Sequence, residues 1–441
     1  MSPTFRAMRV FNYRVWATGA IVSNVGTWMQ RVAQDWLVLT VLTDHSSVAV
    51  GITTGLQFAP MVLLAPLAGV LADRVPKRRL LIGTQTAMGL VGLVMGVLVV
   101  TGTVQLWHAY ALAFALGVAA AVDAPARQAF VSEMVPREDL SNAVGLNSAS
   151  FHAARIVGPG LAGLLIAWVG TGPVFLINAV TFGAVIASLM RMRVSELMPA
   201  PAAPRGRGQL REGLRYVRGR PDLILIMSVV FLVGTFGLNF QMTTAIMATA
   251  QFHKGSGEYG LLGSIMAIGS LGGALLAARR ERPRLRLVIG ATLAFGVFAS
   301  AASLMPSYVL FAVALIPVGL SSLTLMTSAN ATVQLSVEPS MRGRVMALYM
   351  AIFMGGTPLG APVIGWVGST FGPRWTILLG GLISLVTALV AAVYVLRRDE
   401  LRLTYRWSQT PHLQVHSVAH ERQVARERLA TAQANDSRSA A

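Results

Sequence analysis

The chain has 441 residues, 54% of them hydrophobic and 12% charged, with a formal charge of +18 and no cysteine. Such a balance belongs to a chain solvated by lipid rather than to a set of soluble domains, and the missing cysteine excludes disulfides, thiolate metal sites and cysteine nucleophiles. The positive charge would suit nucleic acid if it coated a domain, but the Lys and Arg fall between apolar runs, so no nucleic-acid partner is expected.

Crossing the hydrocarbon core takes about 20 mainly apolar residues. Such runs occur near 14-42, 48-72, 79-100, 107-128, 142-168 and 173-190. Six more follow a polar connection, near 222-247, 258-278, 287-304, 308-332, 345-369 and 374-396. The stretches 80-100 and 378-396 are apolar on every face, which excludes the alternating pattern of a membrane barrel. Arg6, Arg9 and Arg14 precede a first segment too long for the core of a signal peptide, so that helix is expected to stay in the membrane.

Numbering the loops alternately separates the basic ones from the rest. One set holds the N-terminus, 74-79, Arg137, 191-221, 279-286, Arg342 with Arg344, and everything after Arg397; the other contributes only Lys254 and Arg374 as cations. By the positive-inside rule both termini are cytoplasmic. Trp36, Trp107, Trp168, Trp366 and Trp375 fall near the outer helix ends, where an indole can be half wet.

The segment 199-220 is rich in Pro, Gly and Arg, and suggests a flexible connector followed by a basic surface helix. It divides the chain into a bundle over 1-190, a connector over 191-221, a bundle over 222-396 and a cytoplasmic tail over 397-441. The halves echo each other: Val135-Pro136 through Trp168-Val169-Gly170 is repeated as Val337-Glu338-Pro339 through Trp366-Val367-Gly368. A parallel repeat of this kind predicts two pseudo-symmetric six-helix halves around a midplane cavity, an all-α membrane protein of twelve transmembrane helices. In the tail, His412, His416 and His420 would share one face of a helix, but three imidazoles without a carboxylate or thiol make a weak metal site, and neither metal nor cofactor is expected.

Ionisable residues inside spans are costly and face a bundle interior or a water-filled cavity. Arg31 and Asp35 lie one turn apart in the first helix, and Arg155 lies in the middle of the fifth. Two readings stand: Asp35 exchanges a coupling proton under the influence of Arg31 or Arg155, or the charges form a permanent ion pair. Asp123 and Arg127 repeat the one-turn spacing near the end of the fourth helix. Polar side chains in apolar helices are candidates for a substrate cavity: Asn24, Gln30, Gln34, Gln57, Asn147, His152, Asn178, Asn239, Gln241, Asn330 and Gln334; the alternative for each is a helix-to-helix hydrogen bond. Met242, Met266, Met326 and Met350 could supply an adaptable apolar surface or simply fill core.

Residues 69-79, GVLADRVPKRR, resemble the signature loop of the major facilitator superfamily, with Pro76 in place of its second Gly. The resemblance implies a conformational latch from Gly69, Asp73, Arg74 and Arg78, with Asp123 and Arg127 as its neighbours. Positive-inside placement alone would explain the cations but not Asp73. In the fifth helix, residues 154-163 (ARIVGPGLAG) are similar to the superfamily's antiporter motif through Gly158, Pro159 and Gly163. Its alternative is plain helix packing. The fourth-helix Arg of the superfamily is absent: Gly117 is present, but position 113 is Ala. Residues 24-39, 123-130 and 137-143 look like the branch that includes bacterial siderophore exporters and related secretion permeases.

What the resemblance implies is a monomeric, multi-pass transporter in a bacterial inner membrane, exporting siderophore-like or hydrophobic drug-like molecules by proton antiport. A proton-coupled importer is the nearer alternative, and a receptor or scaffold the more distant one. No phosphate-binding Gly-rich loop is present, so transport would run on a gradient; no hydrolase constellation is present, so an enzyme is not expected.

Overall fold

The computed structural model describes residues 3–198, 209–278, 285–398, 401–405 and 413–417. Part of the connector, the basic stretch 279–284 and most of the tail, including His412 and His420, lie outside the described residues.

In the first half, α1 (Phe11–Trp36) runs on through a π-helical turn, Leu37–Leu42. Then α2 (Ser47–Leu63) and α3 (Ala65–Arg74) form one rod broken at Leu64, followed by α4 (Lys77–Val100), α5 (Leu106–Met134), α6 (Arg137–Val169) and α7 (Thr171–Arg191). The connector folds into a short basic helix, α8 (Gln209–Arg218). The second half repeats the plan with α9 (Pro221–Phe236), α10 (Phe240–Ile246) and its π-helical turn Met247–Gln251, then α11 (Ser256–Ala278), α12 (Leu285–Ser303), α13 (Tyr308–Ser336), α14 (Pro339–Phe371) and α15 (Trp375–Arg398).

Among the described residues, ten helices are long and apolar enough to cross a membrane. The other two spans each have a local reason for falling short. Arg31, Asp35 and four Asn or Gln lower the hydropathy of α1. The α2–α3 rod is interrupted because Pro66, at the start of α3, has no N–H to return to the preceding turn. Hydropathy also falls short on α5 and α6. The first has 29 residues and the second 33. At the rise of an α-helix they extend to about 43 Å and about 50 Å, beyond a hydrocarbon core of about 30 Å, so their polar ends escape an apolar window.

The repeat is visible in helix lengths and turns. The pairs α5/α13 and α6/α14 have equal lengths. Each π-helical turn is followed by a histidine in the left-handed region, His45 (φ 53°) and His253 (φ 51°), and α6 and α14 both end on a glycine with positive φ, Gly170 and Gly372. This corrects the sequence echo: Gly170 corresponds to Gly372, whereas Gly368 is packed against Thr376 and Ser47.

Within the first half α1 packs on α6 and α7, and α5 on α2 and α4; within the second, α14 packs on α9, and α13 on α11 and α12. The halves meet along α2–α14 and α6–α11. Glycine permits these approaches. A Cβ at Gly163 would stand 2.5 Å from the Ser256 carbonyl oxygen, and one at Gly365 2.5 Å from that of Ser47. Only hydrogen fits at the two equivalent crossings. Nearer the other end of the same helices, Gly145 of α6 and Gly343 of α14 have open space where a side chain would be. The crossings that join the halves therefore lie at the end far from the basic loops, and toward the basic end α6 and α14 are open at Gly145 and Gly343.

The basic loops are tied down locally. Arg6 pairs with Asp139, Lys77 with Glu133 at 2.6 Å, and Arg344 of α14 with Glu212 of α8 at 2.9 Å. The two cations of the opposite end are occupied as well: Lys254 lies over the Tyr308 ring, and Arg374 donates to the Ser303 carbonyl.

By compactness residues 1–385 form one unit and 386–441 another. In the latter, β1 (Leu401–Tyr405) pairs antiparallel with β2 (Leu413–Ser417), Leu401 opposite Ser417. His416 therefore sits in a strand, which removes the helix that would have aligned it with His412 and His420.

Candidate functional site

A cavity of about 390 Å³ lies between the halves. From the first half α1 contributes Trp28, Arg31 and Asp35, α2 contributes Thr54, Gln57 and Phe58, and α6 contributes Phe151, His152 and Arg155. Spacings of three and four residues place each set on one helical face. The second half answers with 238–242, Met266, Ser322, Leu323, Met326, Phe353 and Thr357. Residues 238–242 reach the cavity because the span breaks between α9 and α10. Asn239 leaves helical geometry, with φ -89° and ψ 34°. Its side-chain amide donates to the Thr235 carbonyl at 2.7 Å. That bond satisfies a group the break exposes. Irregular backbone at membrane depth is tolerated where it lines a cavity.

The charges are not arranged as an ion pair. Among the described residues no cation lies within ion-pair distance of the Asp35 carboxylate. Its partner is Tyr259 of α11, whose hydroxyl donates to Asp35 Oδ2 at 3.2 Å and also lies 3.3 Å from the Gln241 carbonyl. Asp35 and Tyr259 are both buried, and the Tyr259 ring stacks on Trp36. The bond thus joins the two halves. Arg31 instead lies over the rings of Trp28, at 5.0 Å, and Phe58, at 5.8 Å. Arg155 lies over Trp28 at 5.6 Å. Each is a cation–π contact. A smaller hollow of about 60 Å³ continues past Trp28 and Arg155 to Tyr259 and Gly263.

The remaining sequence candidates divide by location. Gln57, His152, Asn239 and Gln241 line the cavity, as do Met242, Met266 and Met326. Gln34 lies behind the wall and donates to Gln57 at 3.0 Å, and Asn24 donates to Ser150 at 3.3 Å. Gln30 and Asn178 are bonded to each other inside the first half. Asn147, Asn330, Gln334 and Met350 are not among the lining residues; Gln334 donates to Asn330 along α13.

Of the latch residues, Asp123 is buried within the first half and accepts from Thr84 (2.8 Å), Gln85 (2.7 Å) and Arg127 (3.0 Å), which makes it a clamp of α4 to α5 rather than a contact between halves. Arg127 also lies over Trp16, and Arg78 donates to the Leu189 carbonyl. Gly69, Asp73 and Arg74 fall in the last two turns of α3; the Asp73 side chain is outside what the structure describes. The antiporter-like residues are closely packed: Gly158 meets Trp28, Pro159 meets Gly263, and Gly163 meets Ser256. Gly117 has a similar reason, lying against the Gln57 carbonyl.

Sequence reasoning misses the aromatic part of the site, Trp28, Phe58, Phe240, Phe353 and above all Tyr259. A signal for Trp28 exists, three residues before Arg31 and hence on its face. Tyr259 gives none, because its partner lies 224 residues away.

Two six-helix halves around a central cavity with buried charges define a secondary transporter of the major facilitator superfamily. Comparison with known proteins agrees. The family described as transmembrane secretion effector matches residues 2–428, and the chain belongs to that family. It is 25% identical to the staphyloferrin A transporter of Staphylococcus aureus (strain NCTC 8325 / PS 47) over 86% of this chain and 95% of that protein. It is 23% identical to macrolide efflux protein A of Streptococcus pyogenes, over 88% and 97%. It is 26% identical to the enterobactin exporter EntS of Shigella boydii serotype 18, over 84% and 87%. Among solved structures, a variant of the nucleoside transporter NupG shares the fold with a TM-score of 0.69 at 14% identity, covering 87% of this chain and 98% of that one. A bacterial homologue of the lysosomal transporter Spinster gives 0.66, also at 14% identity, over 89% and 96%. The chain is a multi-pass membrane transporter and not an enzyme.

Proposed function

We propose that the protein exports small molecules from the bacterial cytoplasm across the inner membrane in exchange for protons, with both termini cytoplasmic, Asp35 carrying the proton and Arg31 and Arg155 beside it. The observation that carries this reading is the buried bond from Tyr259 to Asp35 across the halves. Positive-inside loops orient the basic end toward the cytoplasm, and on that orientation the open basic end is the inward-facing state. Burying an ionised carboxylate is costly and burying a neutral one much less so. A deprotonated Asp35 therefore favours parting of the halves at the outer end, and a protonated Asp35 favours their closure. Cargo loaded from the cytoplasm moves out with Asp35 ionised; Asp35 takes a proton from outside, re-enters the closed site neutral, and releases the proton through the cavity. The names of the exporter relatives support the outward direction. Gly69, Asp73, Arg74 and Arg78 would latch the basic end when it closes, with the Asp123–Arg127 pair holding the α4–α5 platform behind them.

Proteoliposomes with an imposed proton gradient test this. Everted orientation should accumulate siderophores or hydrophobic cargo, and Asp35→Asn should abolish uphill accumulation while leaving downhill exchange. Accumulation in the right-side-out orientation alone would make the protein an importer. Unchanged uphill transport in Asp35→Asn would move the proton site elsewhere.

A further inference from the structure

Arg31 and Arg155 share one aromatic ring and, among the described residues, neither has an acidic side chain at ion-pair distance. Both guanidinium carbons stand within 5.6 Å of the Trp28 ring centroid, on side chains from different helices, α1 and α6. Among the described residues the only acidic side chain on the cavity wall is Asp35, and it is engaged by Tyr259. A cation–π contact offsets part of the cost of holding a guanidinium away from water but leaves its in-plane N–H donors unused. Two forks of donors in a low-dielectric cavity are the arrangement that receives carboxylates or similar planar anions, in bidentate fashion. Much of the remaining wall is apolar: Phe58, Phe151, Phe240 and Phe353 with Met242 and Met266. This wall suits a body of rings or hydrocarbon and offers no second carboxylate for a cationic cargo.

We propose that the cavity selects anionic amphiphiles: a ligand whose carboxylate, or equivalent anionic group, sits between Arg31 and Arg155 while its aromatic or apolar body lies on the Phe and Met wall. The inference rests on the transport reading for its consequence, the cargo class, but its binding test does not. Trp28 acts as a spacer that holds the two forks apart and exposes their edges.

The test compares three probes of one shape in the purified full-length protein in nanodiscs: naphthalene-2-carboxylate, naphthalen-2-ylmethanol and naphthalen-2-ylmethylammonium, titrated by calorimetry. The carboxylate should bind about tenfold or more tighter than the alcohol, and the ammonium weakest of the three. Arg31→Gln and Arg155→Gln should each lower carboxylate affinity about tenfold or more and leave the alcohol within about twofold. Arg155→Lys keeps the charge but loses the fork, and should fall between wild type and Arg155→Gln. Equal or tighter binding of the ammonium by the wild type overturns the proposal, and that comparison needs no variant. Carboxylate affinity unchanged in both Gln variants overturns it as well. Flux of the same probes into proteoliposomes separates the two readings. Flux without anion preference sinks the inference and leaves transport standing, whereas anion-selective binding without flux does the reverse.

Discussion

The first half brings Arg31, Asp35, His152 and Arg155 to the cavity, whereas the second half faces them with Asn239, Gln241, Ser322 and Thr357 among phenylalanines and methionines. The contrast extends beyond the cavity. Among the described residues the buried acidic side chains, Asp35, Asp123, Glu133 and Asp139, all belong to the first half. Yet the scaffolds match helix for helix, with α6 and α14 equal in length and Gly163 and Gly365 making equivalent crossings. Apolar patterning and small residues set the scaffold and can be duplicated at little cost. Each buried charge requires its own compensation, and one set is enough for a binding and coupling site. The second half acts as a neutral wall, with Tyr259 among the polar contacts it extends to the first half's acid.

The scaffold side of this contrast is tested most severely at the crossings. Gly163→Leu and Gly365→Leu should each wedge the far end apart and abolish transport, because the atoms a side chain would meet there are backbone. Overpacking of this kind costs about 1–3 kcal/mol. Gly145→Leu, on the same helix as Gly163 but with open space around it, should be tolerated. The chain has no cysteine, so one cysteine introduced at Thr40 reports opening directly through its labelling rate. Equal labelling in Gly163→Leu and Gly145→Leu would mean that the halves are not joined at one end. Next in size is the first-half clamp. Asp123→Asn leaves Arg127 without its carboxylate and faces Thr84 and Gln85 with a weaker acceptor. Breaking this buried pair should cost about 3 kcal/mol of stability in thermal unfolding.

How much of this can be read from the chain alone follows from which forces are local. The twelve spans and their alternating basic loops are visible because hydropathy and positive charge are properties of consecutive residues. Span ends are misplaced where helices outrun the membrane, as at Met134 and Arg137, and the break at 237–239 is invisible inside an apolar run. Arg31, Asp35 and Arg155 stand out because charge in lipid is conspicuous, but their partners do not. The one-turn spacing of Arg31 and Asp35 suggests an ion pair; instead Arg31 lies over Trp28, a neighbour on its own helical face, and tertiary packing gives Asp35 to Tyr259. The amides cannot be sorted, since Gln34 and Gln57 look alike in sequence and only the fold sets one behind the other.

The contact from the second half to the acid gives a smaller effect that bears on both halves at once. Tyr259→Phe removes one donor and leaves the stacked ring, so the fold should survive. The closed far end should lose about 1 kcal/mol, the range of a hydrogen bond between neutral groups, since Asp35 is protonated when that end is closed. The Thr40 cysteine should then label faster in Tyr259→Phe but not in Asp35→Asn with Tyr259 intact, because a neutral amide still accepts the bond and carries no burial penalty. Identical labelling in the two variants would show that the hydroxyl responds to shape rather than to charge.

The smallest effect expected lies at the surface. Arg344 and Glu212 join α14 to the connector helix, but water reaches both, with side chains 32% and 51% accessible. Exposed pairs of this kind contribute less than about 1 kcal/mol, because water already solvates both charges and two long side chains lose freedom in meeting. Arg344→Ala should therefore leave unfolding and labelling at Thr40 close to wild type. A large change would mean that α8 does more than span the connection: it would be coupled to the rocking of α14, and the second half would contain a charged working part after all.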